Sequence, residues 1–165
     1  MEARELIELL GLEPHPKEGG FFRETWRSAG RSNPGAPFGG ERSHGTAIYY
    51  LLTPATYSAM HRLPGDEVFH FYLGDPVEML ELHPDGSSRT VMLGSDPRTM
   101  SLQHVVRGGV WQGTRLIEGG QWALMGCTVA PGFDYADYEA GTRALAGDFP
   151  EVAGAIENLL PPGPA

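Results

Sequence analysis

The chain has 165 residues, a length that predicts one domain spanning residues 1–165. Hydrophobic residues make up 41% of it and charged residues 20%, proportions typical of a folded globular protein rather than a disordered one. The formal net charge is −9 and no run of Lys or Arg occurs, so we expect no nucleic-acid partner.

The first part of the chain predicts a helix, a strand and a loop. Apolar residues between positions 6 and 10 form the buried stripe of an amphipathic helix over residues 2–11, which Gly11 ends. The segment 18–26, EGGFFRETW, then reads as an aromatic-rich strand behind a glycine pair. Residues 28–45 are rich in Gly and Pro, so they are predicted to form a long loop.

The middle of the chain, residues 46–130, reads as short strands separated by turn residues. The predicted strands cover residues 46–52, 57–62, 67–73, 77–82, 88–93, 100–107, 110–117 and 121–129. The sequence His83-Pro84-Asp85-Gly86 predicts a tight hairpin turn, because Asp-Gly accommodates positive backbone dihedrals. No crossover helix separates these strands, so they are expected to pair antiparallel in a sandwich, a jelly roll or a closed barrel.

Helical character returns near the end of the chain. Asp148 is a candidate cap, Pro150 suits the first helical turn, and an apolar stripe follows, which together predict one helix over residues 150–160. The tail 161–164, PPGP, cannot continue this helix.

Other features bear on the compartment. No apolar stretch approaches the roughly 18 residues of a membrane span, and the first residues lack the basic flank of a signal peptide. Cys127 is the single cysteine, which excludes an intrachain disulfide and suits a reducing compartment. We therefore expect no membrane association, a cytoplasmic location, and a buried Cys127 that acts as a small hydrophobe rather than a reactive thiol.

Chemistry is concentrated in the segment SAMHRLPGDEVFHFYLG, which places His61, Glu67 and His70 around one predicted tight hairpin. Histidine and carboxylate side chains bind metals and transfer protons. Side chains alternate across a strand, so the hairpin is expected to bring the faces of His61 and Glu67 together and to leave His70 on the opposite face.

These residues resemble the two motifs of the cupin superfamily. The first motif, G-x5-H-x-H-x3,4-E-x6-G, matches at His61, Glu67 and Gly74, whereas Ala55 and Leu63 replace its first Gly and its second His, a usual metal ligand.

The second motif, G-x5-P-x-G-x2-H-x3-N, matches only at Gly109, and Gln112 stands where a third metal-binding His would be. The resemblance therefore implies a metal-ligand set in which two positions keep a strong ligand type.

Over residues 5–150 the chain resembles the cupin subfamily DUF985 (Cupin_5) in particular. The resemblance is carried by EGGFFRET, HR, DEVFHFY, GVWQ and CTVAPGFD, which begin at residues 18, 61, 66, 109 and 127. It implies an all-β core with the cupin-type double-stranded β-helix (a jelly-roll barrel), short N- and C-terminal helices, a pocket inside the barrel and a homodimer. Cupin barrels include metal-free deoxysugar 3,5-epimerases that use a barrel histidine as base, a role that the resemblance extends to His61.

Three functional hypotheses follow. In the first, the protein is an epimerase-like or isomerase-like enzyme acting on a small polar metabolite, with His61 as base and Glu67 as its partner. In the second, it is a metal-dependent enzyme whose reduced ligand set, His61, Glu67 and Gln112, holds a divalent transition metal. In the third, it binds a metabolite without turnover.

Further side chains are candidates for substrate binding. Arg23, Tyr50, Trp111 and Gln112 are predicted to contact the substrate, with a plain Arg23–Glu24 ion pair as the alternative for Arg23. The remaining polar candidates are expected at surface or strand-end positions, or as solvated or capping groups: His15, His44, His83, His104, Asp134 and Asp137.

Overall fold

The structure, a computed structural model, describes residues 2–161, so most of the predicted Pro-rich tail lies outside the described residues. Helix α1, Ala3–Leu10, confirms the N-terminal prediction. It ends at Gly11, whose φ of 61° is accessible to a residue without a side chain. Leu6 of the helix is buried against Leu51 and Leu124, so the apolar stripe holds the helix on the outside of the sheet.

The predicted β-rich core is confirmed, with antiparallel pairing throughout the named strands. The strands are β1 Glu13–Pro14, β2 Phe21–Arg27, β3 Arg31–Ser32, β4 Arg42–Ser43, β5 Thr46–Leu52, β6 Ser58–Arg62, β7 Asp66–Gly74, β8 Val77–Leu82, β9 Ser88–Leu93, β10 Gln103–Val106, β11 Trp111–Leu116, β12 Ala123–Ala130 and β13 Glu139–Ala140. The hairpin turn between β8 and β9 is also confirmed, with Gly86 at a φ of 86°.

Two sheets form a jelly-roll barrel. The six-stranded sheet has the order β1-β2-β5-β12-β7-β10, the five-stranded sheet has the order β13-β6-β11-β8-β9, and β3 pairs with β4 in a separate ribbon. Apolar side chains from the facing sides of the two large sheets meet in one core, which includes Tyr50, Phe69, Met79 and Val110. This core fills one part of the barrel and leaves the rest to polar side chains.

The segment predicted as a loop over residues 28–45 contains regular structure, which corrects the prediction. Arg31–Ser32 and Arg42–Ser43 pair as the β3–β4 ribbon, and Arg42 makes a bidentate ion pair with Asp137 at 2.7 Å. Asp137 is therefore a buried ion-pair partner and not a solvated group, whereas Asp134 caps a 3₁₀ turn, Tyr135–Asp137, as predicted. The Gly and Pro content concealed the ribbon because its strands are only two residues long.

The C-terminal helix predicted over residues 150–160 is divided into a 3₁₀ turn, Pro150–Val152, and a short helix, α3 Ala153–Glu157. A further short helix, α2 Ala144–Asp148, precedes the predicted range. Phe149, not Asp148, precedes the turn that contains Pro150. None of the helices in residues 2–161 is long and apolar enough to cross a membrane.

The predicted hairpin between residues 57–62 and 67–73 does not form. Strand β6 pairs with β11 and β13 in one sheet, whereas β7 pairs with β12 and β10 in the other. The turn at Leu63-Pro64-Gly65 therefore carries the chain from one wall of the barrel to the other. Turn residues identify a reversal of the chain, but they do not distinguish a hairpin from a corner between two sheets.

Candidate functional site

Three of the predicted site residues converge inside the barrel. His61 on β6 lies directly opposite Gln112 on β11, and Glu67 projects from β7 in the facing sheet. The Gln112 Nε2 group donates a hydrogen bond of 2.6 Å to the Glu67 carboxylate. All three side chains are buried, with exposed fractions of 2%, 2% and 7% for His61, Gln112 and Glu67. The corner between the two sheets thus brings His61 and Glu67 together, as the predicted hairpin was expected to do.

A cavity of about 720 Å³ opens beside these residues. It lies between the inner faces of β2, β5, β12 and β7, the corner at Leu63, and two connecting segments at residues 13–18 and 133–135. Its size is in the range of small-molecule sites. The side chains lining it include Glu13, His15, Glu18, Phe22, Glu24, Arg27, Ile48, His61, Glu67, Cys127, Phe133, Asp134 and Tyr135.

The backbone fixes the tautomer of His61. Its Nδ1 atom lies 2.7 Å from the carbonyl oxygen of Ala59. A carbonyl can only accept, so in the neutral ring Nδ1 carries the proton and Nε2 keeps a free lone pair. The ring also stacks on Tyr138, with centroids 5.1 Å apart. The neutral ring of His61 therefore presents its Nε2 lone pair at the cavity wall.

Glu67 lies on the opposite wall in a state suited to proton transfer. Burial, followed by the negative charge of Glu18, raises the pKa of Glu67 from 4.5 to about 7, against the opposing effects of His61 and Gln112. A carboxyl with this pKa exchanges its proton readily near neutral pH. His61 and Glu67 can therefore act as a base and an acid on the two sides of one ligand.

Two residues of this site, His15 and Glu18, escape sequence prediction. Ser58 Oγ donates a 2.5 Å hydrogen bond to Glu18 Oε1, which also lies 3.9 Å from His61 Nε2. Glu18 Oε2 lies 3.8 Å from His15 Nε2. The Glu18 carboxylate therefore lies between the two imidazole rings. His15, predicted at a surface or strand-end position, directly follows the end of β1, but its ring is buried rather than at the surface.

Local backbone geometry places Glu18. The Ala59 N–H donates to the Glu18 carbonyl at 2.8 Å, which docks the segment onto β6. Gly19 and Gly20 follow with φ values of 95° and 70°, and a side chain on Gly19 would collide with the Tyr57 carbonyl. The glycine pair, read above as a strand boundary, was the one sequence signal for this close approach.

Aromatic side chains surround the cavity mouth. His15 packs edge-on against Phe22 with ring centroids 4.7 Å apart, and Phe133 packs against Tyr135 at 5.0 Å. The Lys17 ammonium lies 5.7 Å from the Tyr135 ring and 5.9 Å from the Tyr138 ring. The mouth thus combines apolar ring faces with charged groups.

Several predicted substrate contacts lie away from the cavity. Arg23 is on the outer face of β2, where its guanidinium lies 5.6 Å from the Tyr49 ring, and Glu24 pairs with Arg27 instead. Trp111 faces the C-terminal helices. Tyr50 is inside the barrel, but it packs in the apolar core and donates its hydroxyl to the Gly19 carbonyl at 2.8 Å.

His70 points away from Glu67, as expected from strand alternation. It lies on the outer face of β7, where its ring contacts Thr128 at 3.1 Å and Gln103 at 3.0 Å. It is therefore not part of the cavity.

Cys127 is buried as predicted, and it also lines the cavity. Burial, together with the negative charge of Glu67, raises the pKa of its thiol well above the usual value. The thiol form is therefore the one present at neutral pH, which agrees with the predicted unreactive role.

The donor set fits a metal ion poorly. Leu63, which replaces a usual histidine ligand, lines the cavity. Gln112 offers a metal only a neutral amide oxygen, Oε1, which has no hydrogen-bond partner within the described residues, whereas its Nε2 donates to Glu67. Among residues 2–161, no group of three or more His, Cys, Asp and Glu side chains is placed to hold a metal ion. The set His61, Glu67 and Gln112 stays a prediction that rests on one amide and two stronger ligands.

A second polar cluster lies on the same side of the five-stranded sheet as Gln112. Glu81 is buried, and it accepts hydrogen bonds of 2.6 Å from Arg89 and from His104, with His83 at 3.3 Å. Although burial opposes it, these hydrogen bonds hold the pKa of Glu81 below its usual value. His83 follows the end of β8, as the strand-end prediction allows, and its Nε2 makes no hydrogen bond within the described residues. His104 instead lies within β10, which brings it across from the other sheet to Glu81.

Comparison with known proteins places this geometry in a family. The family model described as "Cupin superfamily (DUF985)" matches residues 4–141. An uncharacterized protein of Saccharomyces cerevisiae, YML079W, is 29% identical over 134 residues, which are 74% of this chain and 67% of the yeast protein. A hypothetical protein from Leishmania major is 32% identical with a TM-score of 0.87 over 97% of this chain and 99% of its own. A cupin 2 conserved barrel domain protein from Rhodopseudomonas palustris shares the fold alone, with 14% identity and a TM-score of 0.54 over 90% and 83% of the two chains.

Proposed function

This chain belongs to the DUF985 family of the cupin superfamily, and we propose that its barrel cavity binds a small polar metabolite from which His61 removes a proton. The reaction is epimerase-like or isomerase-like. The observation that carries this proposal is the Nδ1 contact of His61 with the Ala59 carbonyl, which leaves the Nε2 lone pair free beside the cavity.

The proposed step balances without a further reactant. His61 Nε2 takes a proton from a carbon next to a carbonyl group, and the electron pair of the C–H bond moves onto the carbonyl oxygen. Glu67 then donates a proton to carbon from the opposite wall as the electron pair moves back from the oxygen, which gives an epimer or an isomer. Solvent water then carries the proton from the His61 imidazolium to the Glu67 carboxylate, which restores both groups. Gln112 holds the Glu67 carboxyl by its 2.6 Å hydrogen bond. The Glu18 carboxylate, 3.9 Å from His61 Nε2, stabilises the imidazolium that forms.

Deuterium incorporation tests the role of His61. The protein is incubated in D₂O with pools of hydroxycarbonyl and amino-carbonyl metabolites, and mass spectrometry detects the solvent deuterium that enters any compound. We expect incorporation with the parent protein and a loss of about 10² to 10⁴-fold in His61→Ala. His70→Ala, which changes a histidine on the outer sheet face, is the matched control. Equal incorporation by the parent and His61→Ala would exclude His61 as the base.

Non-catalytic binding is the second candidate function. The replacement of two usual motif positions by Leu63 and Gln112 favours it. In that case a metabolite raises the melting temperature with concentration, by mass action, and acquires no deuterium.

A metal-dependent enzyme remains the third candidate. Elemental analysis of untagged parent protein beside His61→Ala tests it. If the predicted set binds a divalent transition metal, we expect near-stoichiometric metal in the parent and its loss in the variant. Metal at equal levels in both would contradict a site that depends on His61.

A further inference from the structure

The charges around the cavity are predominantly negative. Five carboxyl groups line it, contributed by Glu13, Glu18, Glu24, Glu67 and Asp134. Of the described residues that line the cavity, only Arg27 carries a permanent positive charge, and its guanidinium is engaged by Glu24 at 2.7 and 2.9 Å. The single charge of the exposed Lys17 ammonium above the mouth does not balance the remaining carboxyl groups of the cavity.

Glu18 is a partly buried carboxylate of the cavity that has no Arg or Lys partner among the described residues. Within the described chain, its ion-pair distances are to His15 and His61, at 3.8 and 3.9 Å. The Glu18 N–H donates to His15 Nδ1 at 2.9 Å, and burial lowers the pKa of that ring, so His15 is neutral at pH 7. A partly buried carboxylate whose ion-pair distances are to imidazole rings alone lacks a permanent counter-charge.

The negative charges of the cavity act on Tyr135 and Tyr138, two tyrosines near its mouth. Burial and then the charges of Glu18, Glu13 and Glu24 raise the pKa of Tyr135, and burial with Glu18 raises the pKa of Tyr138. The faces of these same two rings already attract an ammonium group, that of Lys17, at 5.7 and 5.9 Å.

The hydrogen-bonding groups facing the cavity are mostly acceptors. They comprise both Glu18 oxygens and the Nε2 lone pair of the neutral His61 ring. Such a set complements a group that brings several donors and a positive charge, and it repels a phosphate or a carboxylate.

From these observations we propose that the ligand of the cavity carries a protonated amine, which binds between the Glu18 carboxylate and the aromatic rings at the mouth. The proposal rests on the proposed function for the location of the site and adds the substrate class: an amine-bearing metabolite, not a phosphorylated or nucleotide-linked sugar and not a dicarboxylate.

Binding of matched probe pairs tests the charge preference on the parent protein. The pairs are benzylamine with benzoate and glucosamine with glucuronate, measured at pH 7 by saturation-transfer NMR and titration. We expect at least one amine to bind at millimolar concentration or below, with a dissociation constant at least about tenfold lower than that of its carboxylate. Binding of the carboxylates with equal affinity, or no binding of either amine, would overturn the proposal.

The variant Glu18→Gln tests the position of the amine. Glutamine keeps the shape of the side chain and can still accept the hydrogen bond from Ser58. We expect about a tenfold weaker amine affinity and no loss for the carboxylates. Glu78→Gln, on the outer face of the other sheet and paired with Arg115, is the matched control and should leave both affinities unchanged. Unchanged amine binding in Glu18→Gln would contradict the assignment.

Two readouts keep the inference independent of the catalytic proposal. If Glu18→Gln does not fold, Glu13→Gln at the exposed rim takes its place, with a severalfold loss of amine affinity expected and an unchanged affinity counting against the proposal. Amine binding without deuterium incorporation would sustain the ligand class and refute the catalytic role of His61. Deuterium incorporation into neutral or anionic compounds alone would support the catalytic role of His61 and refute the proposed amine class of ligand.

Discussion

At the residue scale, the site depends on how backbone carbonyls and neighbouring charges set the proton positions of a few side chains. His61 and His15 both use Nδ1 for a backbone hydrogen bond, but in opposite directions. His61 Nδ1 donates to the Ala59 carbonyl, whereas His15 Nδ1 accepts from the Glu18 N–H. In their neutral forms the two rings therefore present a lone pair and an N–H, respectively, at Nε2. Two residues of the same type acquire different chemistry from their local backbone.

Glu67 gives a prediction about stability. The folded state holds the Glu67 proton more tightly than the unfolded chain, because the pKa is about 7 in place of 4.5. Its ionisation therefore lowers the free energy of unfolding as pH rises from 4.5 to 7, and the loss persists at higher pH. We expect Glu67→Gln to be more stable than the parent above pH 7 by about 1 to 3 kcal/mol, and to show no such gain near pH 4.

Urea unfolding at a series of pH values measures this difference. Glu78→Gln removes an exposed carboxylate and should follow the parent profile. A constant difference between Glu67→Gln and the parent across the pH series would show that Glu67 is not destabilised by ionisation.

At the element scale, the broken C-terminal helices act as a cover on the five-stranded sheet. Ile156 of α3 is fully buried, and with Leu145 and Leu159 it packs on Met60, which alternates with His61 along β6. The Met60 N–H donates to the Leu159 carbonyl at 2.7 Å. The covered face thus holds the strand that presents His61 to the cavity.

Shortening Ile156 tests this cover. We expect Ile156→Ala to lower the free energy of unfolding by about 2 to 4 kcal/mol, because the substitution removes buried methyl groups and leaves a cavity. Chemical denaturation measures the loss, with Glu157→Ala at the exposed neighbouring position as the control. A change equal to that of the control would mean that the C-terminal segment does not contribute to the folded core.

At the scale of the whole molecule, the six-stranded sheet has an exposed apolar edge. The six-stranded sheet ends at β10, an edge strand beside three exposed apolar side chains, Tyr72, Leu73 and Leu102, with exposed fractions of 47%, 52% and 50%. The Phe71 N–H donates to the Leu102 carbonyl at 2.8 Å, so the three side chains lie on neighbouring segments. Exposed apolar edges of this kind favour pairing with another chain.

We expect a second copy of the chain to cover this edge in a symmetric homodimer. Sedimentation velocity at micromolar concentration should give a dimer for the parent and a monomer for Leu102→Glu, which places a charge in the apolar patch. Thr90→Glu adds the same charge on the other sheet and should remain dimeric. A monomeric parent would contradict the dimer.

The sequence alone carried the strand and turn pattern because alternation and turn chemistry are local properties. The helix ended by Gly11 and the hairpin at Asp85-Gly86 both depend on residues close in the chain. The resemblance to cupin motifs added the barrel and selected His61, Glu67 and Gln112.

Only the tertiary structure decided which distant residues share the cavity. His15 and Glu18 lie more than 40 positions before His61 in the chain, and no local pattern joins them. No local pattern predicts the corner between β6 and β7 either. Whether two successive strands pair with each other or enter different sheets depends on the other strands that lie beside them. Periodicity reports the face on which a side chain lies, whereas its partners are fixed by the packing of the two sheets against each other.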